Sequence, residues 1–150
     1  MLELLALAVL VLCFAIPLVS VNRLPDTIPA HFNLRGEADG YGSNRSILYP
    51  LPVVVVLYIG LTILTRYPRI YNYAVEITAK NAQIQYRLAT RFMRVLKLEV
   101  LLTFTFLEYL IVASAFGHHQ AFTALSFGPV VLVIIFASGG YYMNRSFKAK

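Results

Sequence analysis

Four long apolar runs divide this chain: Met1–Val21, Ile47–Thr65, Leu98–Phe116 and Ala121–Met143. Each approaches or reaches the roughly 20 residues that an α-helix needs to cross the hydrocarbon core of a bilayer. A chain of 150 residues carrying four such stretches has room for one compact bundle and no second domain. The composition agrees. It is 59% hydrophobic and 13% charged, with a mean hydropathy of +0.69, too apolar for an ordinary soluble domain. The expected fold is therefore an all-α integral membrane protein, a four-helix transmembrane bundle forming a single domain over 1–150. No Lys or Arg precedes the first run, and Leu18-Val19-Ser20 is a poor cleavage site. That run is read as a retained helix, with Pro17 bending or ending its last turn, rather than as a signal peptide.

The positions of Lys and Arg set the expected orientation. The connector 66–97 carries Arg66, Arg69, Lys80, Arg87, Arg91, Arg94 and Lys97 against a single acid, Glu76. The tail adds Arg145, Lys148 and Lys150. In the loop 22–46, Arg23, Arg35 and Arg45 are offset by Asp26, Glu37 and Asp39, and the last connector, 117–120, has no Lys or Arg. Cytoplasmic loops collect Lys and Arg, so both termini and the basic connector are expected inside, with 22–46 and 117–120 outside. This placement also accounts for the net charge of +6 without nucleic acid, for which the chain carries no binding motif. Cys13 lies alone in an apolar run, so there is no disulfide framework.

No Gly or Pro occurs from Ala79 through Phe116, and Thr78 is a plausible N-cap. Ile84, Leu88, Val95 and Leu96 recur at helical spacing, with Arg87, Arg91 and Arg94 mostly on other faces. One helix is expected to start in the cytoplasm and run on as the third span. Its basic stripe is read as a topology signal with a solvated face, and alternatively as a surface for anionic lipid headgroups or an acidic partner.

The outer loop is built differently from a plain connector. Ile28-Pro-Ala-His-Phe-Asn-Leu34 alternates in polarity, stops at Gly36, and turns back through Asp39-Gly40 and Gly42-Ser43. A small flap or hairpin is expected to cap the outer end of the bundle, with Phe32, Leu34 and Tyr41 packed downwards. Leu24-Pro25-Asp26, Ile28-Pro29-x-His31-Phe32-Asn33, Gly36-Glu37-x-Asp39 and Gly42-Ser43 resemble the signature of a bacterial membrane family. It is the domain of unknown function found at the N-terminus of Sdp-type bacteriocin immunity proteins and in many short membrane proteins. A looser similarity continues through Ile77-Thr78-x-x-Asn81-Ala82-x-x-Gln85-Tyr86 to Leu96-Lys97. The resemblance implies a helical domain of the bacterial cytoplasmic membrane and, for some members, immunity against a membrane-active toxin peptide. Full immunity proteins of that type carry further spans after the shared domain, and this chain is expected to hold the domain without them.

The candidate ligand-binding residues are Asp26, His31, Phe32, Asn33, Glu37 and Asp39 of the outer loop. His31, His118 and His119 are the candidate metal ligands, but His31-x5-Glu37-x-Asp39 matches no ligand motif, and neither a metal nor any other cofactor is expected. The simpler reading has His31 bonding loop backbone and the acids capping turns or pairing with Arg35 and Arg45. Glu108 falls near the middle of the third span, where a carboxylate is costly. It is read either as a proton-coupling or ligand-anchoring group, or as a neutral carboxyl bonded to Tyr58 or Thr62 on a neighbouring helix. Glu99 is expected at the boundary, close to Lys97 and Arg94. Gly139-Gly140 suggests close helix contact and Gly128-Pro129 a kink in the fourth span.

No catalytic motif is present, so a non-enzymatic role is expected. The first expectation is an immunity-like or signal- or peptide-recognising protein acting through the outer loop. The second is an accessory subunit packed in a larger membrane complex. A transporter or metal enzyme built on Glu108 or the histidines has less behind it, because internal repeats and broken-helix pairs are lacking. The expected partners are membrane lipids with a peptide or a membrane complex, and no nucleic acid.

Overall fold

The computed structural model describes residues 1–33, 37–117 and 124–149. Helix α1 spans Leu2–Ser20, strands β1 and β2 span Thr27–Phe32 and Ala38–Ser43, and α2 spans Pro50–Leu64 after a 3-10 turn at Asn44–Leu48. Helices α3, Ala82–Ala115, and α4, Ala124–Lys148, complete the order, with a second 3-10 turn at Pro68–Ile70. Among the described residues, three helical segments are long and apolar enough to cross a membrane: Leu2–Ser20, Asn44–Leu64 and Gly128–Lys148. The segment expected as the third span, 98–116, is the second half of the 34-residue α3, continuous with the connector as expected, and is not one of these three. That half carries Glu99 and Glu108, and Glu108 and Thr105 are buried in the bundle.

Packing centres on α3, against which α1, α2 and α4 each lie. Ala6, Val9 and Cys13 of α1 meet Val54 of α2 and Leu101 of α3 in one buried cluster. The spacing of the three α1 residues places them on one face of that helix. The outward faces are apolar too: Val11 and Val19 of α1, Val56 and Ile59 of α2, and Val133 and Phe136 of α4 are all exposed. Gln85, Lys97, Thr105, Glu108 and Ser146 are buried. Apolar exteriors around a partly polar interior suit a hydrocarbon surround, where packing and hydrogen bonds hold helices together.

Pro17 sits inside α1, which continues through it to Ser20. Likewise α4 runs through Pro129 as helix. A Cβ on Gly140 would meet no atom within 4 Å, and one on Gly139 would meet only Phe92 at 4.0 Å. The expected close helix contact at this pair is therefore absent among the described residues. Pro50 at the first position of α2 explains where that helix starts, since its missing N–H would have no intrahelical partner there.

The connector between α2 and α3 is tied down by aromatics. Tyr71 donates its hydroxyl to the Leu64 carbonyl (2.6 Å) and Tyr73 to that of Pro68 (2.8 Å). Tyr73 also packs on Tyr71 and Tyr86. Burial, with three neighbouring tyrosines, pushes the Tyr73 phenol up to about 12, which keeps it a donor. The N-cap of α3 is Asn81, not Thr78. The Asn81 amide donates to Thr78 Oγ1 (3.3 Å) while Asn81 Oδ1 accepts from the Thr78 amide (2.8 Å). The turn before the helix thus uses both side chains, and the helix begins one residue after it closes.

β1 and β2 form an antiparallel hairpin, with Thr27 opposite Ser43 and Pro29 opposite Tyr41. Pro29 is tolerated because each strand of a two-stranded sheet has an open edge. The register shifts between Pro29 and His31 and again between His31 and Phe32. These bulges break the simple alternation, so Ile28 is the residue turned fully inward, Ala30 is exposed and Phe32 is half-buried. Tyr41 is exposed as well, contrary to the expected downward packing. Leu34 lies outside the described residues. Ile28 joins Leu24 and Ile47 in a buried cluster packed on Ile111, Val112 and Ala115, which seats the hairpin on the end of α3.

Candidate functional sites along helix α3

At the hairpin end, His31 Nδ1 lies 2.5 Å from Asp39 Oδ1 across the two strands. Closer to the tip, Asn33 Nδ2 donates to Glu37 Oε2 (2.9 Å), and the Glu37 amide donates to Asn33 Oδ1 (3.1 Å). A backbone bond from Asn33 to the Glu37 carbonyl (2.9 Å) completes the clamp. The carbonyl of Asp26 accepts from the Asn44 amide (3.0 Å), closing the base of the hairpin. Gly40 is required here because a Cβ would stand 2.9 Å from that of His31. Of the predicted site residues, His31 pairs with Asp39 and Asn33 with Glu37, while Asp26 stays at the base and Phe32 between. The acids are engaged by His31 and Asn33 rather than by Arg45, and Arg35 lies outside the described residues. No three potential metal ligands converge among the described residues. His118 and His119 lie outside them.

The middle of α3 holds a constellation that sequence reasoning missed. Lys97, 1% exposed, donates to Glu3 Oε2 of α1 (2.5 Å) and to Thr62 Oγ1 of α2 (3.0 Å). Its ammonium also lies 4.9 Å from the centre of the Tyr58 ring. Arg94 Nε approaches Glu3 Oε1 at 3.3 Å. One lysine therefore ties three helices, and Glu3 supplies the charge that makes its burial tolerable. The available signal was Glu3, an acid in an apolar run whose start falls at the same end of the bundle as Lys97. Glu99 does not take that place. Residues two apart on a helix face apart, and Glu99 Oε2 accepts from Ser138 Oγ of α4 (3.3 Å) instead. A second tie closes the start of α3: Gln85 Nε2 donates to the carbonyls of Ser146 and Ala149 (both 3.0 Å), and Ser146 Oγ donates to Gln85 Oε1 (2.7 Å).

Lys97, Leu101, Thr105 and Glu108 share one face of α3, with Glu108 roughly 16 Å along the axis from Lys97. Glu108 is 1% exposed, and neither carboxyl oxygen has a hydrogen-bond partner among the described residues. The expected bond to Tyr58 or Thr62 is not made. Thr62 Oγ1 donates to its own helix at the Tyr58 carbonyl (2.6 Å) and accepts from Lys97. Cys13 of α1 and Thr105 stand beside Glu108. An enclosed carboxyl without a partner is a cost to the fold. Glu108→Leu is therefore expected to raise stability in detergent by about 1–3 kcal/mol, read by thermal unfolding. A destabilised variant would contradict this account of the site.

A protein of Archaeoglobus fulgidus described as uncharacterized is 32% identical over 79 residues, covering 47% of this chain and 42% of the relative. The chain thus spans less than half the length of the curated relative it matches. No solved structure matches. Residues 8–56, which take in most of α1, the whole hairpin and the start of α2, match the domain of unknown function DUF1648.

Proposed function

We propose that this chain is a non-enzymatic protein of the bacterial cytoplasmic membrane that recognises a peptide through its hairpin, in the manner of an immunity protein. In this reading 98–116 crosses the membrane as the third of four spans, both termini are cytoplasmic, and the hairpin faces outward. The observation that carries it is the construction of the hairpin. Ile28 is wholly buried on α3, while His31–Asp39 and Asn33–Glu37 hold a polar surface in fixed geometry at the opposite side. A connector needs no such clamps, whereas a recognition surface gains affinity from being preorganised. The basic residues gathered towards the other end of α3 support the orientation.

The test is tolerance of the native host to membrane-active peptides. His31→Ala combined with Asp39→Ala removes an exposed pair and leaves Ile28 in place, and it is expected to lower the inhibitory peptide concentration at least about tenfold, the loss of one well-formed charged contact. Unchanged tolerance across the peptides would count against recognition by this surface. A second reading, an accessory subunit of a membrane complex, is favoured by Gly60, Gly128 and Gly140, whose positions meet no neighbour within 4 Å. Small residues on an outer helix face let another helix approach closely. Under that reading the protein migrates with a larger complex after mild extraction, and a monomer on native gels excludes it.

A further inference from the structure

Between the start of α1 and the first half of α3 lies an open cleft of about 590 Å³. Its basic wall is a single stripe: Arg87, Arg91 and Arg94 stand at i, i+4 and i+7 of α3, and all three reach the cleft. Thr90 adds a hydroxyl. The opposite wall is apolar, formed by Met1 and Leu2 at the beginning of a helix fit to cross a membrane.

The charges in this cleft do not balance. Glu3 is the one acid lining it, and its two oxygens are already engaged by Lys97 and Arg94. Arg87 and Arg91 have no acidic partner among the described residues, and both are exposed to the cleft mouth. Two unneutralised guanidiniums one helical turn apart suit a phosphate, which they can grip with paired N–H donors. An apolar wall beside them suits something with a hydrocarbon part. The place of the cleft, where the apolar length of α1 begins, is where lipid headgroups lie.

We infer that this cleft is a binding site for the phosphate of an anionic phospholipid, held by Arg87 and Arg91 with the acyl portion passing along Met1 and Leu2. The site rests on the membrane reading and not on the hairpin, so failure of the tolerance assay leaves it untouched. It also gives the arginine stripe a role distinct from marking topology, because a topology signal needs no cleft.

The experiment is thermal unfolding of the purified full chain in neutral detergent. Four samples are compared: phosphatidylglycerol, phosphatidylcholine, inorganic phosphate, and no addition. Phosphatidylglycerol is expected to raise the midpoint by roughly 4 °C or more at saturation, with phosphatidylcholine and inorganic phosphate giving no comparable shift. Arg87→Gln with Arg91→Gln is expected to abolish the shift. Arg69→Gln with Lys80→Gln, which removes the same charge outside the cleft, is expected to keep it. Both pairs are exposed, so each variant folds in the absence of lipid and serves as its own baseline. An equal shift with phosphatidylcholine overturns the inference, as does an equal shift with inorganic phosphate, which marks a site for a soluble anion. Survival of the shift in the Arg87/Arg91 variant, or its equal loss in the Arg69/Lys80 variant, overturns it too.

Discussion

Glu3→Ala is expected to destabilise the protein by about 3 kcal/mol, whereas Lys97→Met is expected to cost less than about 1 kcal/mol. The asymmetry follows from where the two partners sit. Lys97 is 1% exposed and Glu3 is 42% exposed. Removing the carboxylate strands an ammonium inside the bundle with only Thr62 and the Tyr58 ring beside it. Removing the ammonium leaves a half-solvated carboxylate that Arg94 still pairs. Methionine also matches the unbranched stem of lysine, so packing among the three helices is kept. The double variant is then expected to recover most of what Glu3→Ala loses, because the stranded charge has gone. Thermal unfolding of the four proteins in one detergent completes the cycle. If Lys97→Met proved as damaging as Glu3→Ala and the two losses added, the ion pair would not be the tie between α1 and α3.

Ile28→Ala is the second large effect, and it is expected to be local. Ile28 is fully buried, and truncating a buried isoleucine to alanine costs about 2–5 kcal/mol. That loss falls on the contact between the hairpin and the end of α3, where Ile28 packs with Leu24 and Ile47 against Ile111, Val112 and Ala115. The helices keep their own ties at Lys97 and Gln85, far from this cluster. Amide exchange in β1 and β2 is therefore expected to accelerate by more than tenfold, with the centres of α1 and α3 unchanged. Ala30→Ser, at the exposed bulge, is expected to leave exchange as it is. Equal acceleration throughout the chain would mean that the hairpin is part of the core and not a seated flap.

The helices were legible because membrane spans announce themselves by length and composition. Helix α3 was legible through the absence of Gly and Pro between Ala79 and Phe116. The hairpin was legible through its turn residues, yet its inward residue was not. Alternation pointed to Phe32, but the bulges at Ala30 and Asp39 reset the pleat after Ile28, so that Ile28 is fully buried and Phe32 only half-buried. The tie at Lys97 escaped for a different reason. Its partners lie on α1 and α2, and charge in a basic connector is first explained by topology, which says nothing about depth of burial. Asn81 and Gln85 stood within the looser family similarity, and both prove to be buried groups with full sets of partners. Glu108 is the acid that spacing marks in an apolar segment, but the Thr62 hydroxyl offered to it is engaged by the Tyr58 carbonyl and Lys97 instead.

The most direct measurement of the central claim is accessibility from either side of the membrane. The native Cys13 is buried, so a cysteine placed at Ala38 of the hairpin or at Lys80 of the basic connector reports its own position. With a membrane-impermeant maleimide, Ala38→Cys is predicted to be labelled in intact cells and Lys80→Cys only after lysis. Labelling of Lys80→Cys in intact cells, with Ala38→Cys protected until the cells are opened, would contradict the account.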